Sequence, residues 1–182
     1  IVNIPGWNGN IGPRFFTKEM AWRSKRVFNF SPIQIKNLTV DYKNEPQASF
    51  KLENLDGGNV NVLPIYPVQD SIKNPKSLIV KQTLMSTASL YYEDFILPGA
   101  LGKIDSIINV LPAFATIEIE NKSGAKMNLI LKVQPTEDDQ SDVTGGLMID
   151  RYYAYLANTD KPVLGLLQMQ MASKLLKNYD RF

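Results

Sequence analysis

The chain has 182 residues, with 20 basic and 18 acidic side chains, so its formal net charge is only +2. Apolar residues make up 44% and charged residues 21%, which is typical of a globular protein with its own core. The chain contains no cysteine and no histidine, which excludes disulfides, thiolate nucleophiles, Cys/His zinc sites and imidazole-based triads. The small net charge also argues against nucleic acid as a partner.

Residues 1–30 are predicted to form an irregular N-terminal arm. Proline and glycine interrupt residues 1–14, and residues 14–30 then interleave aromatic with basic side chains. Within them, residues 17–23 are expected to form a short helix capped by Thr17. Residues 31–182 are predicted to form a single domain.

That domain is expected to begin with a meander of three antiparallel strands. Alternating apolar residues predict strands over 35–42, 48–53 and 60–64. The second and third are joined by residues 56–59, Asp-Gly-Gly-Asn, whose side chains tolerate the backbone of a hairpin turn.

Two helices are predicted to follow the meander. Asn74 and Pro75 provide a cap and a first-turn proline, and the helix is expected to run to about Ile96. Its apolar side is indicated by the helical spacing of Leu78, Met85, Ala88, Tyr92 and Phe95. A shorter helix is predicted from the spacing of Ile104, Ile107, Ile108 and Leu111.

The remaining chain is predicted to form two strand pairs and a closing helix. The strands span 114–120, 126–133, 148–157 and 163–168, and the helix runs from about 169 to 179. Because strands come in adjacent hairpins, the fold class is α+β, with a mostly antiparallel sheet and three helices packed on it. All three helices are expected on one side of that sheet.

Carboxylates are the main catalytic candidates in this composition. Glu118 and Glu120 lie two apart on a predicted strand, so both face one way and could act as acid and base on a sugar, or simply face water. The acidic residues 137–142 lack the glycine and glutamate positions of a calcium-binding loop. No nucleophile or phosphate-binding motif occurs. We therefore expect no enzyme activity, no metal and no cofactor.

An interaction surface is predicted from aromatic and basic side chains. Basic groups beside aromatic rings suit an acidic partner or an anionic membrane surface, and tyrosine is enriched at interfaces. The alternative is that the rings pack into the core while the basic groups stay in water. The candidate surface residues are Trp7, Arg14, Trp22, Arg23, Arg26, Tyr152 and Tyr155.

The sequence resembles a family of uncharacterised bacterial envelope proteins, a domain of unknown function often encoded beside gliding-motility-type ABC transporter components. The resemblance covers most of the chain and is carried by residues 4–7, 14–17, 22–24, 28, 35–42, 46, 49–52, 112–117 and 151–155. It implies a location on the periplasmic side of the cell envelope and a single N-terminal membrane anchor upstream of residue 1. It carries no catalytic motif.

Three functions are consistent with these patterns. The first is a non-catalytic extracytoplasmic domain that binds envelope proteins, with ABC-transporter subunits as the implied partners. The second is a glycan-active enzyme that uses carboxylates, which requires a cleft with two acidic groups of different pKa. The third is a periplasmic ligand-binding module, which requires a lined cavity.

Overall fold

An eight-stranded antiparallel sheet forms the centre of the structure, a computed structural model that describes residues 22–55, 59–96, 101–134, 150–159 and 163–182. The strands are β1 (Ile35–Tyr42), β2 (Phe50–Asn54), β3 (Val60–Leu63), β4 (Asp94–Phe95), β5 (Ala115–Asn121), β6 (Lys126–Val133), β7 (Arg151–Leu156) and β8 (Gly165–Gln168). They lie in the order β3-β2-β1-β5-β6-β7-β8-β4. Together with the helices they confirm the α+β class.

Three α-helices accompany the sheet in the described residues: α1 (Ser77–Ser86), α2 (Leu101–Asn109) and α3 (Met169–Ala172). Single 3₁₀ turns occur at Pro32–Gln34, Pro46–Ala48, Thr87–Ser89 and Tyr179–Arg181. The bounds predicted for β1 and β6 agree with the structure, because Leu38, Val40 and Tyr42 in β1 and Leu129 and Leu131 in β6 are buried at alternate positions.

The main core lies on one face of the sheet. Since side chains alternate between faces, the pairing registers place one row of buried residues straight across six strands. Helices α1 and α3 contribute side chains to the same core. The row consists of Tyr42, Ala115, Leu131, Ala154, Gly165 and Phe95.

Glycine is required at position 165 because an aromatic ring lies directly against the backbone there. A Cβ atom at Gly165 would stand 2.3 Å from Cδ1 and 2.8 Å from Cε1 of Tyr92. The Tyr92 ring in turn packs against Phe95, with ring centroids 5.2 Å apart. This contact fixes how the segment after α1 lies on β8.

Helix α2 lies on the opposite face, so the expectation that all helices cover one side is wrong. Its Ile107 packs with Tyr155 and Leu164 in a second, smaller apolar cluster. The β1–β5 half of this face carries polar residues instead, among them Glu118 and Glu120. Because apolar residues of β6 to β8 occur on both faces, that part of the sheet needs a cover on each side.

The helix predicted to reach Ile96 ends much earlier. Thr83 and Ser86 each donate a side-chain hydrogen bond to the carbonyl four residues back, a pattern that competes with continued helix. The chain then becomes extended: the amide of Tyr92 donates to the carbonyl of Lys25 at 2.7 Å, and Phe95 lies in β4. Tyr92 and Phe95 are therefore strand-like core residues, not part of a helix.

The closing helix is also shorter than predicted. Helix α3 ends at Ala172, and the chain finishes with turns whose aromatic side chains are buried. Phe182 packs on Phe50 with ring centroids 4.7 Å apart, and the Tyr179 hydroxyl donates to the carbonyl of Asp70. Tertiary contacts, rather than helical periodicity, position residues 173–182.

Candidate protein-interaction site

The structure describes five of the seven residues predicted to form an interaction surface. Trp7 and Arg14 lie outside the described residues. Trp22 is 70% exposed, and Arg23 and Arg26 are also exposed. The two tyrosines, in contrast, are buried.

The end of the predicted arm is part of the main domain. Val27 and Phe28 are buried in the main core, and the amide of Val27 donates to the carbonyl of Leu90 at 3.0 Å. Arg26 forms an antiparallel bridge with Tyr91, whose ring is partly exposed. The segment thus pairs with the chain that follows α1, which holds the exposed basic side chains at a fixed place.

Tyr152 and Tyr155 are buried and do not contribute to a surface, which corrects their assignment as candidate contacts. Tyr152 stacks on Phe114 with centroids 5.2 Å apart, and Tyr155 lies under α2. Burial raises the pKa of both phenols. Strand β7 needs large side chains on both of its faces because both are covered, and tyrosine fills that volume.

The predicted carboxylate pair lies on the open half of the sheet. Glu118 forms an ion pair with Lys126 at 3.2 Å, and Glu120 pairs with Lys36 at 3.3 Å. A hydrogen bond from Asn37, followed by the bond from Lys36, holds the pKa of Glu120 below its usual value. A lowered pKa keeps Glu120 ionised, which is the opposite of what a general acid requires.

Lys132 is a buried lysine that no sequence pattern singles out. Its ammonium group donates to the carbonyl of Ile108 at 2.8 Å and to the carbonyl of Leu111. These carbonyls lie at the C-terminal end of α2, where a positive charge is favourable. Burial lowers the pKa of Lys132. Its bonds show a positioning role, in which it ties α2 to β6.

The outer side of α1 is a feature that the sequence interpretation missed. Leu78 is 66% and Met85 is 65% exposed, although both were predicted to lie on the apolar side of the helix. The side that packs against the core includes the buried Val80, Thr83 and Leu84 and the partly buried Ile79. The core-facing side therefore includes a threonine, and two large apolar residues seven positions apart face outward.

These two residues line a groove of about 600 Å³. One wall is the outer side of α1, and the other is the chain just after α3. We call this the α1 groove and define it by its lining residues, which are Leu78, Lys81, Gln82, Met85, Ser86, Ser89, Lys174 and Lys177.

The α1 groove is basic as well as apolar. Lys81 stands on the helix, and Lys174 and Lys177 stand on the facing wall. Among the described residues that line the groove, none carries a carboxylate. Among the described ion pairs, none involves these three lysines. A ligand in the groove would therefore meet two apolar side chains beside positive charges that no described carboxylate pairs with.

No protein-family model, curated protein or solved structure matches this chain. The resemblance to an envelope family therefore stays a prediction. Over the described ranges, no helix is long and apolar enough to span a membrane. The same part of the chain holds no group of three or more side chains that could bind a metal. The acidic residues 137–142 lie outside it.

Proposed function

We propose that this chain is a non-catalytic domain of the bacterial cell envelope, on its periplasmic side, that binds protein partners. The observation that carries the proposal is the α1 groove. Isolated exposed apolar residues are common on protein surfaces, but here two of them line one concave site on a helix. Such a helix offers a contact surface whose shape does not depend on a partner.

The inner side of α1 packs on the core, and the residue just before the helix is bonded to the C-terminal residues. This fixed position favours recognition through the outer side. Val80 and Leu84 are buried in the main core, and the amide of Lys76 donates to the carbonyl of Phe182 at 2.7 Å. Lys76 also donates through its side chain to the carbonyl of Arg181. A preorganised surface loses little entropy on association, so a modest contact area can give specific binding.

The paired carboxylates support a binding role over glycan chemistry. Glu93 is held by Arg151 through two bonds, at 2.7 and 3.1 Å, and this contact lowers its pKa. Glu118 and Glu120 are likewise paired with lysines on an open face. Two acidic groups with opposed pKa shifts would instead be expected at the centre of a glycosidase.

The partners and the location follow from the resemblance to envelope proteins encoded beside ABC-transporter components. On that basis we propose ABC-transporter subunits as the proteins bound. An upstream membrane anchor would hold the domain close to them, which raises the effective concentration of both and permits weak individual contacts.

The test is site-specific crosslinking of the full-length, anchored protein in its own envelope. A photo-reactive residue is introduced at Met85 and, as a control, at Val110, which is 76% exposed outside the groove. We expect a transporter subunit to be crosslinked from position 85 and not from position 110. Equal labelling from both positions, or recovery of no envelope protein from position 85, would contradict the proposal.

A matched pair of variants adds a second readout. Met85→Asp places a charge in the apolar part of the groove, and Val110→Asp makes the same change elsewhere. Co-purification of the transporter subunit should be lost only in Met85→Asp. Thermal unfolding of both variants checks that the fold is intact.

A further inference from the structure

The composition of the α1 groove indicates the chemistry of its partner. The two walls carry three lysines, one on α1 and two on the chain after α3, and no acidic side chain lines the groove in the part of the chain that the structure describes. A partner with basic groups would be repelled from both walls. A partner with acidic groups would meet a complementary charge on either side, and such complementarity chiefly determines specificity and association rate.

The apolar part of the groove indicates the shape of that partner. Leu78 and Met85 are seven residues apart on α1, which is about 10 Å along a helix axis. Amphipathic helices recognised in grooves place apolar anchors at comparable intervals, one or two turns apart. Met85 adds an adaptable side chain, because the unbranched thioether adjusts to differently shaped neighbours.

The same observations disfavour a lipid bilayer as the occupant. A helix that inserts in a membrane must present its apolar side chains at the outermost part of the protein. Here Leu78 and Met85 share an open groove with Lys174 and Lys177, so an occupant meets side chains of two segments and not one helix face alone.

We infer that the α1 groove binds an amphipathic helix of a protein partner that carries Asp or Glu on both flanks of its apolar stripe. The inference rests on the proposed function and names the chemistry of the partner. The acidic flanks pair with Lys81 on one side and with Lys174 and Lys177 on the other. The apolar stripe of the partner covers Leu78 and Met85.

The first experiment measures binding of two labelled synthetic helical peptides to the purified chain by fluorescence anisotropy. Both peptides carry the same leucine stripe, flanked by glutamate in one and by lysine in the other. We expect the glutamate peptide to bind, and to bind more weakly as salt screens the charges. Equal binding of the two peptides, or preference for the lysine peptide, would overturn the inference.

Charge-reversal variants test whether the peptide binds in the α1 groove. Lys81→Glu and Lys177→Glu alter opposite walls, and Lys51→Glu makes the same change on β2, away from the groove. Each groove variant should lower the affinity for the glutamate peptide by about fivefold to tenfold, while Lys51→Glu should leave that affinity nearly unchanged. A similar loss in all three variants would show a general charge effect and overturn the inference.

Two further readouts separate this inference from its alternatives and from the proposed function. Sedimentation with vesicles of anionic phospholipid that requires Lys81, without binding of the glutamate peptide, would identify a membrane surface as the occupant and overturn the inference. If the crosslink from position 85 to a transporter subunit persists undiminished in Lys81→Glu and Lys177→Glu, the proposed function stands and the acidic-helix inference fails.

Discussion

The two sides of α1 differ in a way that separates stability from recognition. On the inner side, Val80 and Leu84 are buried against the sheet. On the outer side, Leu78 and Met85 are about two-thirds exposed in a groove bordered by lysines. Both sides carry large apolar residues, with Ile79 also packed against the core on the inner side, so the presence of such residues alone does not distinguish the two sides. The two sides are distinguished by their contacts, because only the inner side packs against the core.

The two sides of α1 show that the large apolar residues of a helix need not all lie on its core side. The inner side includes Thr83, whose hydroxyl is satisfied by the carbonyl of Ile79 at 2.8 Å, so burying it costs little. Because of this bond within the helix, threonine can occupy a core position. Leu78 and Met85 lie on the outer side instead. Substitutions on the two sides should therefore affect different properties.

The largest expected effect is on the inner side. Leu84→Ala removes a buried side chain from the main core and leaves a cavity that the sheet cannot fill. We expect it to lower the free energy of unfolding by about 2–5 kcal/mol, measured by urea denaturation. A loss below about 1 kcal/mol would mean that α1 is not packed against the sheet as described.

A pH effect of similar size is expected from Tyr92, which follows α1 on the core side. Burial raises the pKa of Tyr92 from 10.0 to about 12. Between these values the unfolded phenol loses its proton while the folded one keeps it, so stability present below pH 10 is lost as the pH rises toward 12. The loss should reach about 2–3 kcal/mol.

The measurement is urea denaturation at a series of alkaline pH values. Tyr92→Phe cannot ionise, so its stability should fall less steeply than that of the parent protein over the same range. Because other buried tyrosines are common to both proteins, the difference reports Tyr92. If the unfolding free energies of the two proteins fell in parallel as the pH rises, the Tyr92 hydroxyl would have to reach solvent in the folded protein.

A smaller effect is expected where this same ring meets the sheet. Gly165→Ala would place a methyl group 2.3 Å from the Tyr92 ring. The ring must shift, and we expect a cost of about 1–3 kcal/mol in urea denaturation. In a double-mutant cycle with Tyr92→Ala, most of this cost should disappear. If the losses of the two single variants simply added, the cost of Gly165→Ala would not arise from contact with the Tyr92 ring.

The sheet was predictable because its signal is local. Most of β1 and β6 follows the alternation of their apolar residues, and the turn between β5 and β6 has Gly124 at a φ of 86°. The end of α1 was not predictable, since Tyr92 and Phe95 fit a helical spacing by coincidence. Their extended conformation depends on Lys25 and on β8, both far away in sequence.

The interaction site depended even more on tertiary structure. Tyr152 and Tyr155 have the composition of contact residues, but cover on both faces of β7 buries them. Lys132 follows a normal strand alternation, and only the position of α2 makes it a buried anchor. The α1 groove joins residues about 90 positions apart, such as Met85 and Lys174, which no periodicity within a single segment connects.

The smallest expected effect is the counterpart of Leu84→Ala at the next residue. Met85→Ala removes a side chain of similar size that is already exposed to water, so the unfolding free energy should change by less than about 0.5 kcal/mol. Urea denaturation of both variants under one condition compares the loss of unfolding free energy in Met85→Ala with that in Leu84→Ala. A loss at Met85 as large as that at Leu84 would mean that the outer side of α1 is covered in the free protein, and the groove would then be closed to a partner. A negligible loss, combined with a weakened crosslink to the transporter subunit, would assign the outer side of α1 to recognition alone.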